Sequence, residues 1–482
     1  MLKKDEDDIH VLNIKIFPKF DDSLEEKYNK KNEIKSDWKS IVLMYIFIFL
    51  IGIQFSLFNI TVYPYFRFLD PNAEFSTYIW VMLYHVLGQA VGTLFYGFVN
   101  TRYKTYNNIF LMAIGYLIVG NILYLFLSLF PISFVQYLLS VSRYLVGYGC
   151  GILGVSYAYC IGASKEEDRK TVTYFSTASY ITGVATGHLL FSIFRSHNMQ
   201  AKVYFCRLIV NKDSLPSLLM AFLYFIYLLI FLYSFKEKFY GIEYDKNKKL
   251  VKYCQSLFEM NDKMKGSILI FNWFVITLLF YTLESFPIYW TELHILFRNS
   301  WKMLTFEIIT GMIFATAILT SLMIALPLLR RIKSTNMITF GFALIFIYNL
   351  INYPLPFYNN FEISPEANTT FKNIYSFNGN QNVPFELYVL SAISCLGIGI
   401  SVIFSGTLYQ YSKILGQRRQ SFMISLLQFL GCVAQVITLC MILIIEHYNV
   451  SKCYMIIFGV LSLIALILNG FFYERKRCNM SV

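Results

Sequence analysis

Residues 274–290 read FVITLLFYTLESFPIYW, an apolar and aromatic run in which one carboxylate, Glu284, stands three residues ahead of Pro287. That carboxylate decides the reading. Neither a soluble core nor lipid accepts an unpaired one, so it must face protein or water inside a larger apolar body. The run is also long. Extended back to residue 268 it reaches the length of about 20 residues that carries a helix across roughly 30 Å of hydrocarbon.

The rest of the chain supplies the apolar body. Of its 482 residues 56% are hydrophobic and 15% charged, where soluble proteins carry about a quarter charged residues. Twelve segments have the length and polarity of membrane spans: 40–62, 78–99, 107–130, 133–160, 171–194, 216–235, 268–290, 303–329, 336–353, 385–411, 421–445 and 452–473. The ninth is cut short by Pro354 and Pro356. An all-α polytopic membrane protein with twelve transmembrane helices is expected, its lipid bilayer being its first partner.

The spans fall into two sets of six. A polar N-terminal tail (1–39) precedes an N-terminal six-helix bundle (40–235). A lysine-rich connector (236–267) leads to a C-terminal six-helix bundle (268–473), and a short tail (474–482) ends the chain. The N-terminal tail has no apolar core, so no cleaved signal is expected. Six plus six with a long connector is the outline of a secondary transporter built from two repeats.

Orientation follows from the basic residues. With the N-terminus inside, 31 of the 41 Lys and Arg residues lie on cytosolic segments and 9 on the other side, leaving Arg143 within a span. Both termini, the tails and the connector are therefore expected in the cytosol. The net charge of +12 is then a matter of topology and gives no reason to expect nucleic-acid binding. Two glycosylation acceptors, Asn368-Thr369-Thr370 and Asn449-Val450-Ser451, fall on the non-cytosolic side. Asn59-Ile60-Thr61 lies too deep in the first span to serve. The nine cysteines show neither finger nor CxxC spacing, so no metal site, cofactor or disulfide framework is expected. No Ser-His-Asp order or phosphate-binding loop is present either, and the chain is not expected to be an enzyme.

Glycines recur at helix-packing intervals: Gly88 and Gly92, Gly147 and Gly151, Gly183 and Gly187. Close backbone approach supplies much of helix packing in lipid. The fourth span, with glycines at 147, 149, 151 and 154, is either pressed against a neighbour or bent.

The motif RYLVGYGCG (143–151) resembles the fourth-span motif of the major facilitator superfamily, and YGFVNTR (96–102) resembles part of its loop between spans two and three. The stretches LMYIFIFL (43–50), YPYFRFLDPNAE (63–74), GASKEEDRKT (162–171), NTTF (368–371) and TLYQYSKILGQRRQ (407–420) are similar to a lysosomal group within it. That group is the major facilitator superfamily domain-containing protein 8 (neuronal ceroid-lipofuscinosis type 7) group. The resemblance implies the two-bundle major facilitator fold, an endolysosomal membrane and transport of a small solute or anion by alternating access. A chloride conductance is one activity it suggests. Departures stand out. Tyr157 and Gln435 stand where the group has arginines, and Gly187-His188 where it has glycine-proline. The alternative is a non-transporting relative acting as a membrane scaffold or receptor. Plasma-membrane residence is the alternative location.

Five side chains are candidates for a substrate or ion path. Arg143 sits ten residues into its span, about 15 Å deep at 1.5 Å per residue. There an arginine costs roughly 2.5–3.5 kcal/mol unless it faces protein or water, which leaves open a structural pair or a solute contact. Glu284 is the second candidate. His85 and Gln89 share a face of span two, and Gln54 lies within span one. All five are expected to line one aqueous path between the halves, and the chain is expected to be a monomer binding a small molecule or ion.

Overall fold

In the computed structural model the described residues are 36–196, 203–205, 208–211, 213–237, 263–293, 301–325, 332–353, 385–416, 419–448 and 452–478. Helices dominate them. In order they are α1 (Trp38–Leu69), α2 (Phe75–Tyr103), α3 (Asn107–Leu125), α4 (Ile132–Cys150), α5 (Leu153–Gly162), α6 (Glu166–Ser196) and α7 (Leu215–Ser234). Then follow α8 (Lys263–Leu293), α9 (Trp301–Ala325), α10 (Ser334–Ile351), α11 (Phe385–Ser391), α12 (Gly397–Leu415), α13 (Ser421–Tyr448) and α14 (Lys452–Cys478). A two-stranded antiparallel hairpin, β1 (Val203–Phe205) and β2 (Leu208–Val210), joins α6 to α7.

Among the described residues nine helical segments are long and apolar enough to cross a membrane, and two shorter apolar helices cover Thr310–Met323 and Ile456–Gly470. The chain is a multi-pass membrane protein. Every segment expected to span overlaps helix among the described residues, and residues 326–329 of the eighth lie outside them. The differences are local. The first helix runs seven residues past its expected end and carries Pro64 inside it, which removes one i→i−4 hydrogen bond without ending the helix. The fourth span is two helices. Their break, at Gly151 and Ile152, falls within the glycine cluster. In the tenth span a π-helical turn (392–396) separates α11 from α12. The last residues assigned to the N-terminal tail are docked, Ser36 Oγ donating to Asp168 Oδ2 at 2.7 Å.

Glycines set the closest helix contacts. A Cβ at Gly88 would lie 2.2 Å from the Tyr144 carbonyl oxygen, and one at Gly183 2.2 Å from that of Phe49. These pairings fasten α2 to α4 and α1 to α6. Reciprocal amide pairs add directional bonds. Gln54 and Asn121 exchange bonds of 3.3 and 2.9 Å between α1 and α3. Asn272 and Asn469 exchange bonds of 2.9 and 3.0 Å between α8 and α14. The two sets of helices meet chiefly where α2 packs on α13, α6 on α9, and α5 and α6 on α13 and α12.

Candidate functional site

Between the two sets lies a cavity of about 20 Å³, room for about one water molecule. Its walls come from α5, α6, α8, α12 and α13. Six are aromatic: Tyr157, Tyr180, Trp273, Phe280, Tyr281 and Phe404. Thr177, Thr277 and Gln428 supply polarity, and among the described residues no charged side chain lines it.

Contacts between the halves lie towards both ends. Towards the end that carries Ser36, Tyr106 Oη and Ser421 Oγ lie 2.8 Å apart, and Lys170 Nζ donates to the Ile332 carbonyl at 2.8 Å. Ser425 packs against both Gly97 and Gly154. Towards the opposite end the seal is aromatic. Phe280 meets Phe55, Tyr180, Phe314 and Phe404 with ring centroids 5.5–6.1 Å apart. One helical turn beyond Phe280 comes Glu284. It is fully buried, and its Oε1 lies 3.1 Å from His188 Nε2 on α6. The His188 ring stacks on Phe314 at 5.7 Å.

Three of the other sequence candidates cluster within the first set of helices. Arg143 is 1% exposed. Its guanidinium is sandwiched between the rings of Phe58 (4.2 Å) and Tyr124 (4.6 Å). Its Nη2 reaches Ser142 Oγ at 3.4 Å, and Ser142 in turn donates to the Gly120 carbonyl. Among the described residues no carboxylate lies against it. His85 Nδ1 donates to the Arg143 carbonyl at 3.2 Å, and Gln54 is held by Asn121 beside Gly120. Gln89 is buried, its side-chain oxygen without a partner among the described residues, and its amide faces the Tyr281 hydroxyl on α8. Thus Arg143, His85 and Gln54 share one neighbourhood, while Gln89 and Glu284 face the other half separately. None of the five lines the cavity.

Asn368 and Asn449 lie outside the described residues. Asn59 is buried within α1. No group of three or more His, Cys, Asp or Glu side chains that could hold a metal occurs among the described residues.

The Major Facilitator Superfamily profile matches residues 44–439. The chain belongs to the major facilitator superfamily. A Xenopus laevis protein, "Major facilitator superfamily domain-containing protein 8", is 27% identical over 169 residues, covering 34% of this chain and 33% of its own. The chain therefore matches about a third of that relative's length. Among solved structures, the proton:xylose symporter XylE bound to 6-bromo-6-deoxy-D-glucose aligns with TM-score 0.66 and 11% identity, covering 90% of this chain and 96% of its own. FucP in its outward conformation aligns at 0.63 and 11%, covering 89% and 98%. At such identities the likeness shows the fold alone.

Two features of the site were not singled out from sequence. His188 figured there only as a departure from a glycine-proline pair. A histidine inside an otherwise apolar span was the available signal. The aromatic lining carried none, because the chain has 46 Phe and 37 Tyr.

Proposed function

We propose that this major facilitator protein moves a small uncharged solute across an endolysosomal membrane by alternating access, with both termini in the cytosol. The observation that carries the reading is the cavity between the halves, which has contacts across both ends and no charged side chain in its lining. In the described structure the cavity holds about one water, so a solute would enter only with one end open; the aromatic faces would then bind a ring-bearing or polyhydroxylated molecule, and the hydroxyls and amide would orient it. A chloride ion would find no cation on this wall, so a solute is favoured over an anion. Tyr157, in the position where the resembled group has an arginine, belongs to that lining. The endolysosomal membrane rests on the resemblance of residues 43–50, 63–74 and 407–420 to the lysosomal group.

Purified protein in proteoliposomes is expected to take up at least one neutral solute from a panel of sugars, nucleosides and amino acids. The same solute should raise the melting temperature in detergent. Uptake of chloride alone would overturn the choice of solute. Silence across the panel together with an unshifted melting temperature would favour the scaffold reading.

Topology has its own test. The asymmetry of 31 cytosolic to 9 opposite basic residues supports a luminal position for residues 354–384. Asn368→Gln is then expected to abolish a glycosidase-sensitive mobility shift, or the larger part of one if Asn449 is also modified. No glycosidase-sensitive shift at either acceptor, with the C-terminus shielded from cytosolic protease, would overturn the orientation.

A further inference from the structure

A buried hydrogen-bond donor without a partner stands in the cavity wall, at Trp273 on α8. The residue is 2% exposed, and its ring meets Phe404, another lining residue, edge to face at 5.1 Å. The indole nitrogen has no hydrogen-bond partner among the described residues. Buried indoles usually find one, because an unpaired donor in an apolar interior costs free energy. Phenylalanine would fill the same wall without that cost. The nitrogen therefore gives the fold nothing that the ring does not.

The nitrogen faces a notch on α13. A Cβ added at Gly431 would lie 3.5 Å from Trp273 Nε1 and 3.5 Å from Thr277 Cγ2, with nothing nearer. Gly88 and Gly183 differ, since an added Cβ there would meet a backbone oxygen at 2.2 Å and packing demands glycine. At Gly431 packing makes no such demand, although glycine weakens a helix relative to alanine. Of the described glycines with that much room, Gly431 alone is buried. Gln428 lies three residues earlier on the same face of α13. Both Gln428 and Thr277 line the cavity, so the notch is a recess at its edge.

The hydroxyls beside it have the opposite polarity. Thr277 Oγ1 donates to the Trp273 carbonyl at 2.7 Å, and Thr177 Oγ1 to the Tyr174 carbonyl at 2.9 Å. With its one proton committed, each offers the cavity only lone pairs. The wall thus combines an unspent donor, two acceptors and the Gln428 amide, which is both.

We propose that Trp273 is the hydrogen-bond anchor of the solute, its indole N–H taking a hydroxyl oxygen received in the notch that Gly431 leaves open. Thr177 and Thr277 accept from other hydroxyls of the same molecule. The inference rests on the transporter reading above and narrows its substrates to hydroxylated ones. An oxygen in the notch sits at about 2.9 Å from Nε1, where a larger substituent does not fit. Gly431 therefore limits the size of the group at that position.

The test follows uptake of D-glucose, myo-inositol and uridine by the full chain in proteoliposomes, and its melting temperature in detergent with each. For a solute that is taken up, Trp273→Phe is expected to raise KM about tenfold, equivalent to about 1.4 kcal/mol and to one neutral hydrogen bond. The maximal rate should be little changed. One monodeoxy derivative of that solute should show the raised KM already in the parent, and Trp273→Phe should raise it no further. Gly431→Ser, whose hydroxyl can take the indole proton in the solute's place, should also raise KM about tenfold. A parent-like KM in either folded variant overturns the anchor and leaves the transporter. So does a loss in Trp273→Phe that persists undiminished for every monodeoxy derivative. If Trp273→Phe fails to fold, Gly431→Ser decides. A melting shift that is lost in Trp273→Phe, in a protein that moves none of the three solutes, keeps the anchor and removes the transporter. Neither uptake nor a melting shift with any of the three overturns both.

Discussion

Arg143→Ala is expected to lower stability by about 3 kcal/mol, and the melting temperature by about 5 °C, whereas Arg143→Met stays within about 2 °C of the parent. The guanidinium is 1% exposed and filled on both faces by Phe58 and Tyr124. Truncation empties that slot. It also removes two desolvated cation–π contacts, each worth up to about 2 kcal/mol, and leaves a cavity of the kind that costs about 2–5 kcal/mol. Methionine refills most of the volume. It also removes a charge whose desolvation no carboxylate among the described residues offsets, and such replacements are often neutral or stabilising. Melting in detergent, followed for all three proteins, measures this. A methionine variant as unstable as the alanine variant would mean that the charge itself supports the fold. An alanine variant that melts like the parent but takes up no solute would place the guanidinium in transport.

The second large effect belongs to Phe280. Its side chain is 1% exposed and contacts rings from α1, α6, α9 and α12. Phe280→Ala should cost about 3–5 kcal/mol, the usual range for a buried phenylalanine. It should also connect the cavity to the space around Glu284. Any uptake is then expected to fall to a slow leak that does not concentrate solute. Phe280→Leu should recover most of the stability and part of the uptake. A Phe280→Ala protein that still concentrates solute against its gradient would show that the ring layer does not seal the cavity.

Most of the helical frame was legible in the sequence, because a membrane span is a local property. Length, apolar content and flanking charge lie within one stretch, so 78–99 and 421–445 both meet helices. The break in the fourth span was half visible, since four glycines between 147 and 154 announce either contact or bending, and both occur. The site was far less legible. His188 and Glu284 are 96 positions apart, and no periodicity connects them. The cage around Arg143 comes from two other helices, α1 and α3. An intramembrane arginine signals expense, but whether rings or water meet that expense depends on three-dimensional packing. Tyr157 and Gln435 were noticed as departures from arginine. Only the fold shows that the first belongs to the cavity wall.

The helices within each half are fastened by bonds that tolerate no slippage. The Gln54–Asn121 and Asn272–Asn469 amides each pair in both directions, and backbone meets backbone at Gly88 and Gly183. Across the seam near Glu284 most contacts are ring on ring, and these are weakly directional. Inherited change can therefore accumulate in two separable ways. A substitution at an amide or a glycine alters whether the protein exists at all. Under the proposed alternating access, exchanging one ring for another along the seam alters how long each facing lasts, leaving both halves intact. Preference for one direction of transport could thus drift between relatives without any loss of foldedness, and variants selected for faster turnover should concentrate at the seam.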